Sequence, residues 1–273
     1  MKTTMLPMPI LVVVVSLSAA AQPAHAQGLL WKLPPEGTWV RYEGTYGEIE
    51  LRPDNPEGDS SVEWIRHLTL KSLGTEMAEW EGEQTVCRWI EIESITGVSS
   101  EQGIDAGPVG ARIIKALVPE QRIVGSPVDA DRIPVSFVPV IKGYRKFGDG
   151  EVVPIETGVL RVYPLMTLLA YYQDLEAAAD DAEPISVPSG TVNARRYTGT
   201  LTMENALRRS TNQADIWRSP DVPFGLAQWT AKLSREEKLS YEPRSEFQPI
   251  GEVNVEMSAH ESGTDAESRL NVP

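Results

Sequence analysis

With 273 residues, 41% of them hydrophobic and seven of them tryptophan, the chain carries enough apolar side chain for a packed core and is no disordered polymer. Its net charge of −14 repels phosphate backbones and anionic head groups, which excludes nucleic acid as an expected partner and suits a protein kept in solution. A single cysteine, Cys87, excludes an intramolecular disulfide.

The chain opens on a secretory pattern. Lys2 gives a positive start, residues 10–21 are an almost unbroken apolar run, and Ala24-His25-Ala26 is the small-x-small site that signal peptidase reads. An uncleaved anchor is the rival reading, but the run, preceded by Pro7 and Pro9, falls short of the ~20 residues that span a bilayer. Cleavage near Ala26 is expected, leaving residues 27–273 as one exported domain, periplasmic or fully secreted, with no stable membrane insertion. Nothing in the sequence indicates an oligomeric state.

Residues 38–51 alternate polar side chains with Trp39, Tyr42, Tyr46, Ile49 and Leu51, and Gly44 and Gly47 interrupt them as glycines do at bends of a curved sheet. Segments 62–73 and 85–95 read as two further strands of an antiparallel meander. In the second of these, Glu91 and Glu93 alternate with Ile90 and Ile92, the pattern of a solvated face. Cys87, beside Trp89, reads as a small buried apolar residue. Residues 109–118 are ambiguous, because Ile113, Ile114 and Leu117 also fit one face of a short helix stopped by Pro119. Gly148-Asp149-Gly150 predicts a hairpin between 138–146 and 151–162.

Pro164 opens the strongest helical pattern. Leu165, Met166, Leu168, Leu169, Tyr172 and Leu175 form an apolar stripe that predicts an amphipathic helix over 164–179. Strands return over 185–203, 214–219 and 224–233, and 251–260 with 266–272 read as a last hairpin. The fold class is mainly β (α+β): a strongly curved antiparallel sheet or half-open β-barrel with one long amphipathic helix on its concave face. Arg41-Tyr42-Glu43-Gly44-Thr45 is echoed by Arg196-Tyr197-Thr198-Gly199-Thr200, both inside predicted strands.

Chemistry-bearing motifs are scarce. After the leader only His67 and His260 remain, no His-Glu-x-x-His run holds a metal, and no Gly-x-Ser-x-Gly or Ser-x-x-Lys run marks a serine hydrolase. No catalytic residue, metal ligand or cofactor is assigned. A carboxylate-dependent hydrolase stays open only because two converging carboxylates would suffice for it.

Pro188-Ser189-Gly190-Thr191, Arg196-Tyr197, and the run from Ile216-Trp217 through Asp221-Val222-Pro223-Phe224-Gly225 resemble an arrangement in exported bacterial proteins, where a strand ends in an Asp-x-Pro-Phe-Gly turn and re-enters the sheet. Those proteins are similar to the half-open β-barrels of the periplasmic lipoprotein carriers. The resemblance covers residues 185–233 closely and the rest by element order, and no lipid-binding residue of the carriers transfers to a position here. It implies a non-enzymatic carrier or chaperone that holds a lipid, another apolar ligand or a lipidated segment. Such a cavity would be lined by Leu165, Leu168, Leu169, Tyr172, Trp217, Phe224 and Trp229. The alternative is an interaction module that binds an envelope protein or a glycan at a sheet edge or aromatic face. A deep internal pocket favours the carrier, and a flat aromatic patch on an otherwise filled barrel favours the module.

Overall fold

The computed structural model describes residues 30–52, 55–101, 103–123, 138–155, 158–160, 166–170, 172, 175–179 and 181–272. The signal pattern and Leu165 lie outside them. In chain order the strands are β1 (Trp39–Glu50), β2 (Ser60–Trp80), β3 (Glu83–Ser100), β4 (Gly103–Asp105), β5 (Arg112–Pro119), β6 (Val138–Val140), β7 (Lys142–Phe147) and β8 (Val153–Ile155). There follow β9 (Gly158–Leu160), β10 (Glu176–Ala177), β11 (Glu183–Val187), β12 (Gly190–Glu204), β13 (Arg208–Arg218), β14 (Leu226–Glu237) and β15 (Gln248–Gly263).

Thirteen of these strands form one antiparallel sheet in the order β10-β12-β13-β14-β15-β1-β2-β3-β5-β7-β8, with β11 added on β12 and β4 on β3. β6 and β9 pair separately. The path ends at β10 and β8, which do not pair, so the sheet is open. The expected meander is present as β1-β2-β3, and the hairpin at Gly148 as β7-β8. Residues 112–119 are strand β5 rather than a helix, and 266–272 form no strand.

Side chains alternate along a strand, so the register sorts the sheet into two faces. On one face Tyr197, Ile216, Trp229 and Met257 lie in a single cross-strand row. Ala259, Tyr42 and Leu68 make another. These belong to one contiguous core reaching from β12 to β5. The repeated Arg-Tyr-x-Gly-Thr stretch puts a buried tyrosine on this face in both copies, with a glycine two residues on. The glycines answer different crowding. A Cβ at Gly44 would lie 1.8 Å from the Glu256 carbonyl oxygen of the neighbouring strand, and one at Gly199 would lie 2.5 Å from the Tyr172 ring.

The helix expected over 164–179 is not formed. Met166 and Thr167 have helical backbone, Leu168 turns left-handed at φ 57°, and Glu176–Ala177 pair with β12 as a strand. Among the described residues no helix reaches seven residues. A continuing helix would bond its carbonyls to N–H groups four residues on. Here side chains of the sheet take them: Arg66 Nη1 donates to Met166 O (2.7 Å), Trp229 Nε1 to Thr167 O (3.1 Å) and Asn212 Nδ2 to Leu168 O (2.7 Å). The segment still packs its apolar stripe on the sheet, with Met166, Leu169, Tyr172 and Leu175 all buried. An apolar spacing of three to four residues serves any segment buried along one side, and the sheet supplies polar groups that make the helix unnecessary.

The other face is covered over β2 and β3 by residues 264–272. Ser268 Oγ donates to Glu91 Oε2 (2.6 Å) and the Arg269 backbone N–H to Glu91 Oε1 (3.0 Å), while Arg269 pairs with Glu93. Lys71 completes the set at 2.8 Å from Glu91. Glu91 and Glu93 are buried, contrary to the solvated face their alternation suggests.

Candidate functional site

The residues expected to line an apolar cavity are mostly brought together, and they pack on protein. Leu169, Tyr172, Phe224 and Trp229 are buried in the core, and Leu168 and Trp217 are partly buried against it. Trp229 meets Tyr42 edge-on at 5.1 Å. Tyr172 donates its hydroxyl to Asn212 Oδ1 at 2.6 Å, and burial pushes the pKa of that hydroxyl up. Phe224 sits in the Asp-x-Pro-Phe-Gly turn that joins β13 to β14. Its carbonyl accepts from the Trp31 N–H (2.9 Å), and the next residue but one, Leu226, accepts from the Tyr42 hydroxyl (2.9 Å). Trp217 belongs to the opposite face by register, where its ring lies 5.3 Å from the Arg196 guanidinium.

A trough of about 770 Å³ crosses that opposite face over β12, β13, β14, β15, β1 and β2. Two rows of side chains build it. Thr198, Asp215, Thr230, Glu256 and Thr45 form one, and Thr200, Gln213, Lys232, Asn254, Gly47 and Glu63 the next. Strands spaced ~4.8 Å apart make the first row roughly 19 Å long and the second roughly 24 Å. The sequence signal was available: these are the polar half of the alternation whose apolar half was read as core. Several of the charges are paired, Asp215 with Arg196 at 2.7 Å and Lys232 with Glu252 at 2.5 Å.

Beside the trough, the two histidines meet. His67 Nε2 lies 3.6 Å and His260 Nε2 3.4 Å from Glu43 Oε2, while Arg41 Nε is 2.8 Å from Glu43 Oε1. The register of β1 on β15 slips between Arg41 and Tyr42, leaving His260 without a cross-strand partner and turning it onto the same face as Glu261. No local motif could announce a pair so far apart in sequence. Burial lowers the His67 pKa against the opposing pull of Glu43. Among the described residues no group of three or more His, Cys, Asp or Glu is arranged to hold a metal ion.

A general acid needs a carboxyl held above its ordinary range. The Lys142 hydrogen bond pulls Glu76 down, and Arg244 does the same to Glu204, Lys232 to Glu252 and Trp39 to Asp265. At Glu91, burial pushes upward but Lys71, Ser268 and the Arg269 N–H outweigh it and leave the pKa lowered.

No protein-family model and no curated protein matches the chain. Among solved structures, a crystal structure titled as a "putative lipoprotein" from Parabacteroides distasonis ATCC 8503 is similar at 12% identity, covering 87% of this chain and 99% of that one. The TM-score is 0.32, and a likeness this weak carries no conclusion about this chain. Among the described residues no helix is long and apolar enough to cross a membrane, which says nothing of strands.

Proposed function

We propose that this protein is an exported, non-enzymatic binding module that holds an extended neutral glycan in the polar trough. The observation that carries the reading is the contrast between the two faces. Over its centre the apolar face is packed with the chain's own side chains, and among the described residues a polar trough opens on the other. Threonine hydroxyls and the Gln213 and Asn254 amides both donate and accept hydrogen bonds, as sugar hydroxyls do. No aromatic or methionine side chain of the kind that anchors protein interfaces is among its lining residues. Its carboxylates repel phosphate backbones. The secretory pattern of residues 1–26 supports the exported setting.

Calorimetric titration of the protein with neutral polysaccharides, a polyuronate and peptidoglycan fragments tests this. A neutral polysaccharide should bind, and the Gln213→Ala/Asn254→Ala double variant should bind it at least roughly tenfold more weakly, the size of one or two lost hydrogen bonds. Binding of none of them, or an unaffected double variant, removes the reading. Lipid co-purifying in stoichiometric amount would restore the carrier.

A further inference from the structure

A second opening, of about 490 Å³, lies at the edge of the apolar face, where Tyr46, Trp64, Arg66, Ser94, Arg112 and Met166 line it. Arg66 stands on the core side of β2, directly across from Gly44 and Thr96, and is only 7% exposed. A guanidinium has five N–H donors. Two of its nitrogens are engaged, Nε with Thr96 Oγ1 (2.8 Å) and Nη1 with Met166 O (2.7 Å), and its plane lies 4.3 Å from the Tyr46 ring. The Nη2 amino group has no partner among the described residues.

A buried cation is ordinarily paired with a carboxylate. No ion pair to Arg66 forms among the described residues, and its titratable neighbours are the Tyr46 hydroxyl, which is neutral at neutral pH, and Arg112, a like charge. Burial draws its pKa down to about 10, which leaves it fully charged at neutral pH. In a chain of net charge −14, this pocket holds two adjacent arginines and one carboxylate, Asp105, which accepts from the Gly107 N–H (2.9 Å) and forms an ion pair with neither arginine among the described residues, so their charge calls for an outside anion. The Ser94 hydroxyl offers a further donor with no partner among the described residues. The Tyr46–Trp64 stack, centroids 5.6 Å apart, forms an apolar wall beside these donors.

We propose that this pocket is a binding site for a small organic anion, whose carboxylate or phosphate head is held by Arg66 and Arg112 and whose apolar body rests on Trp64, Tyr46 and Met166. A planar guanidinium fork matches either head group. The site lies on the face opposite the trough and does not depend on what the trough binds.

Calorimetric titration with octanoate, octyl phosphate, inorganic phosphate and octyl glucoside tests the assignment. Octanoate or octyl phosphate should bind, and the tighter of the two identifies the head group. Inorganic phosphate, lacking the apolar body, and octyl glucoside, lacking the charge, should bind at least roughly tenfold more weakly. Arg112→Gln alters an exposed side chain and should weaken the preferred anion roughly tenfold, the size of one charge-assisted hydrogen bond. Arg66→Met should abolish binding, with circular dichroism to establish that it folds. If octyl glucoside equals the anions, if neither octyl anion binds, or if Arg112→Gln binds like the wild type, the proposal is overturned.

Discussion

Strands β3 and β13 are both interior strands of one sheet, yet β3 is buried on both sides from Cys87 to Ser94 and β13 on one side only. On the apolar face they are treated alike, Ile90 and Ile92 of β3 and Ala214 and Ile216 of β13 entering the same core. On the polar face the tail 264–272 covers β3, and no described segment covers the centre of β13. Side chains with the same alternating signature therefore acquire different roles. Glu91 fastens the tail, while Gln213 is exposed on the floor of a trough. Where the chain covers its own sheet, polar groups are structural. Where it leaves the sheet bare, they are free for a ligand.

The shared apolar face should give the largest effect. Trp229 is fully buried and caps Thr167 O, so Trp229→Ala removes both a large side chain and a donor to the 166–175 segment. Urea denaturation should show a loss of about 3–5 kcal/mol. A loss under ~1 kcal/mol would mean that the segment does not rest on the sheet as described.

Glu91→Ala comes next and probes the difference between the strands. It strands Lys71 and the tail donors, and should cost ~3 kcal/mol, as breaking a buried ion pair does. Gln213→Ala on the uncovered strand should stay within ~0.5 kcal/mol. The pH dependence has a definite sign. Glu91 is held below its ordinary pKa, so its stabilisation is present above the unfolded value of ~4.3 and is lost as pH falls through the folded value. The gap in Tm between wild type and Glu91→Gln should narrow below about pH 4.3. A constant gap would separate the tail contact from the carboxylate charge.

This contrast also marks how far the sequence could be read. Strands β1 to β3, the β7-β8 hairpin and the turn at Asp221 rest on alternation and local turn chemistry, and both are local. Residues 164–179 misled because one-sided apolar spacing does not specify a helix. The deciding groups, Arg66, Asn212 and Trp229, belong to strands far away in sequence. Glu91 and Glu93 misled for the same reason, since their cover is the chain's far end. Arg66 was legible: it shares parity with Leu68 and Leu70, which places a cation on the core face. The meeting of His67 and His260 at Glu43 depended on a bulge and on long-range register, neither of which is written locally.

Gly199→Ala tests whether Tyr172 presses on β12. Its Cβ would fall 2.5 Å from the Tyr172 ring, so either the ring or the strand must move. Overpacking of this kind costs about 1–3 kcal/mol. If Gly199→Ala is neutral alone, the close packing between segment and strand is wrong.

The smallest effect is expected at His67, on the polar face beside the trough, where solvent reaches the group. Burial lowers its pKa, Glu43 on β1 raises it, and Arg41 on β1 and His260 on β15 lower it further. The net shift is downward, so the folded protein takes up the proton less readily than the unfolded chain. The contribution of His67 to stability is intact above the unfolded value of ~6.5 and is lost as pH falls through the folded value. His67→Gln cannot titrate, so its Tm should fall less than that of the wild type between about pH 7 and pH 5. Glu43→Gln removes the one group that favours the charged imidazole and should steepen the wild-type fall. The Glu91 loss lies below about pH 4.3, so a single Tm profile separates the two: the covered carboxylate responds at the acid end, and the uncovered histidine as pH falls below the unfolded value of ~6.5. Equal slopes for wild type and His67→Gln would mean that solvent screens the cluster completely, and that this part of the bare face has no electrostatic hold on the fold.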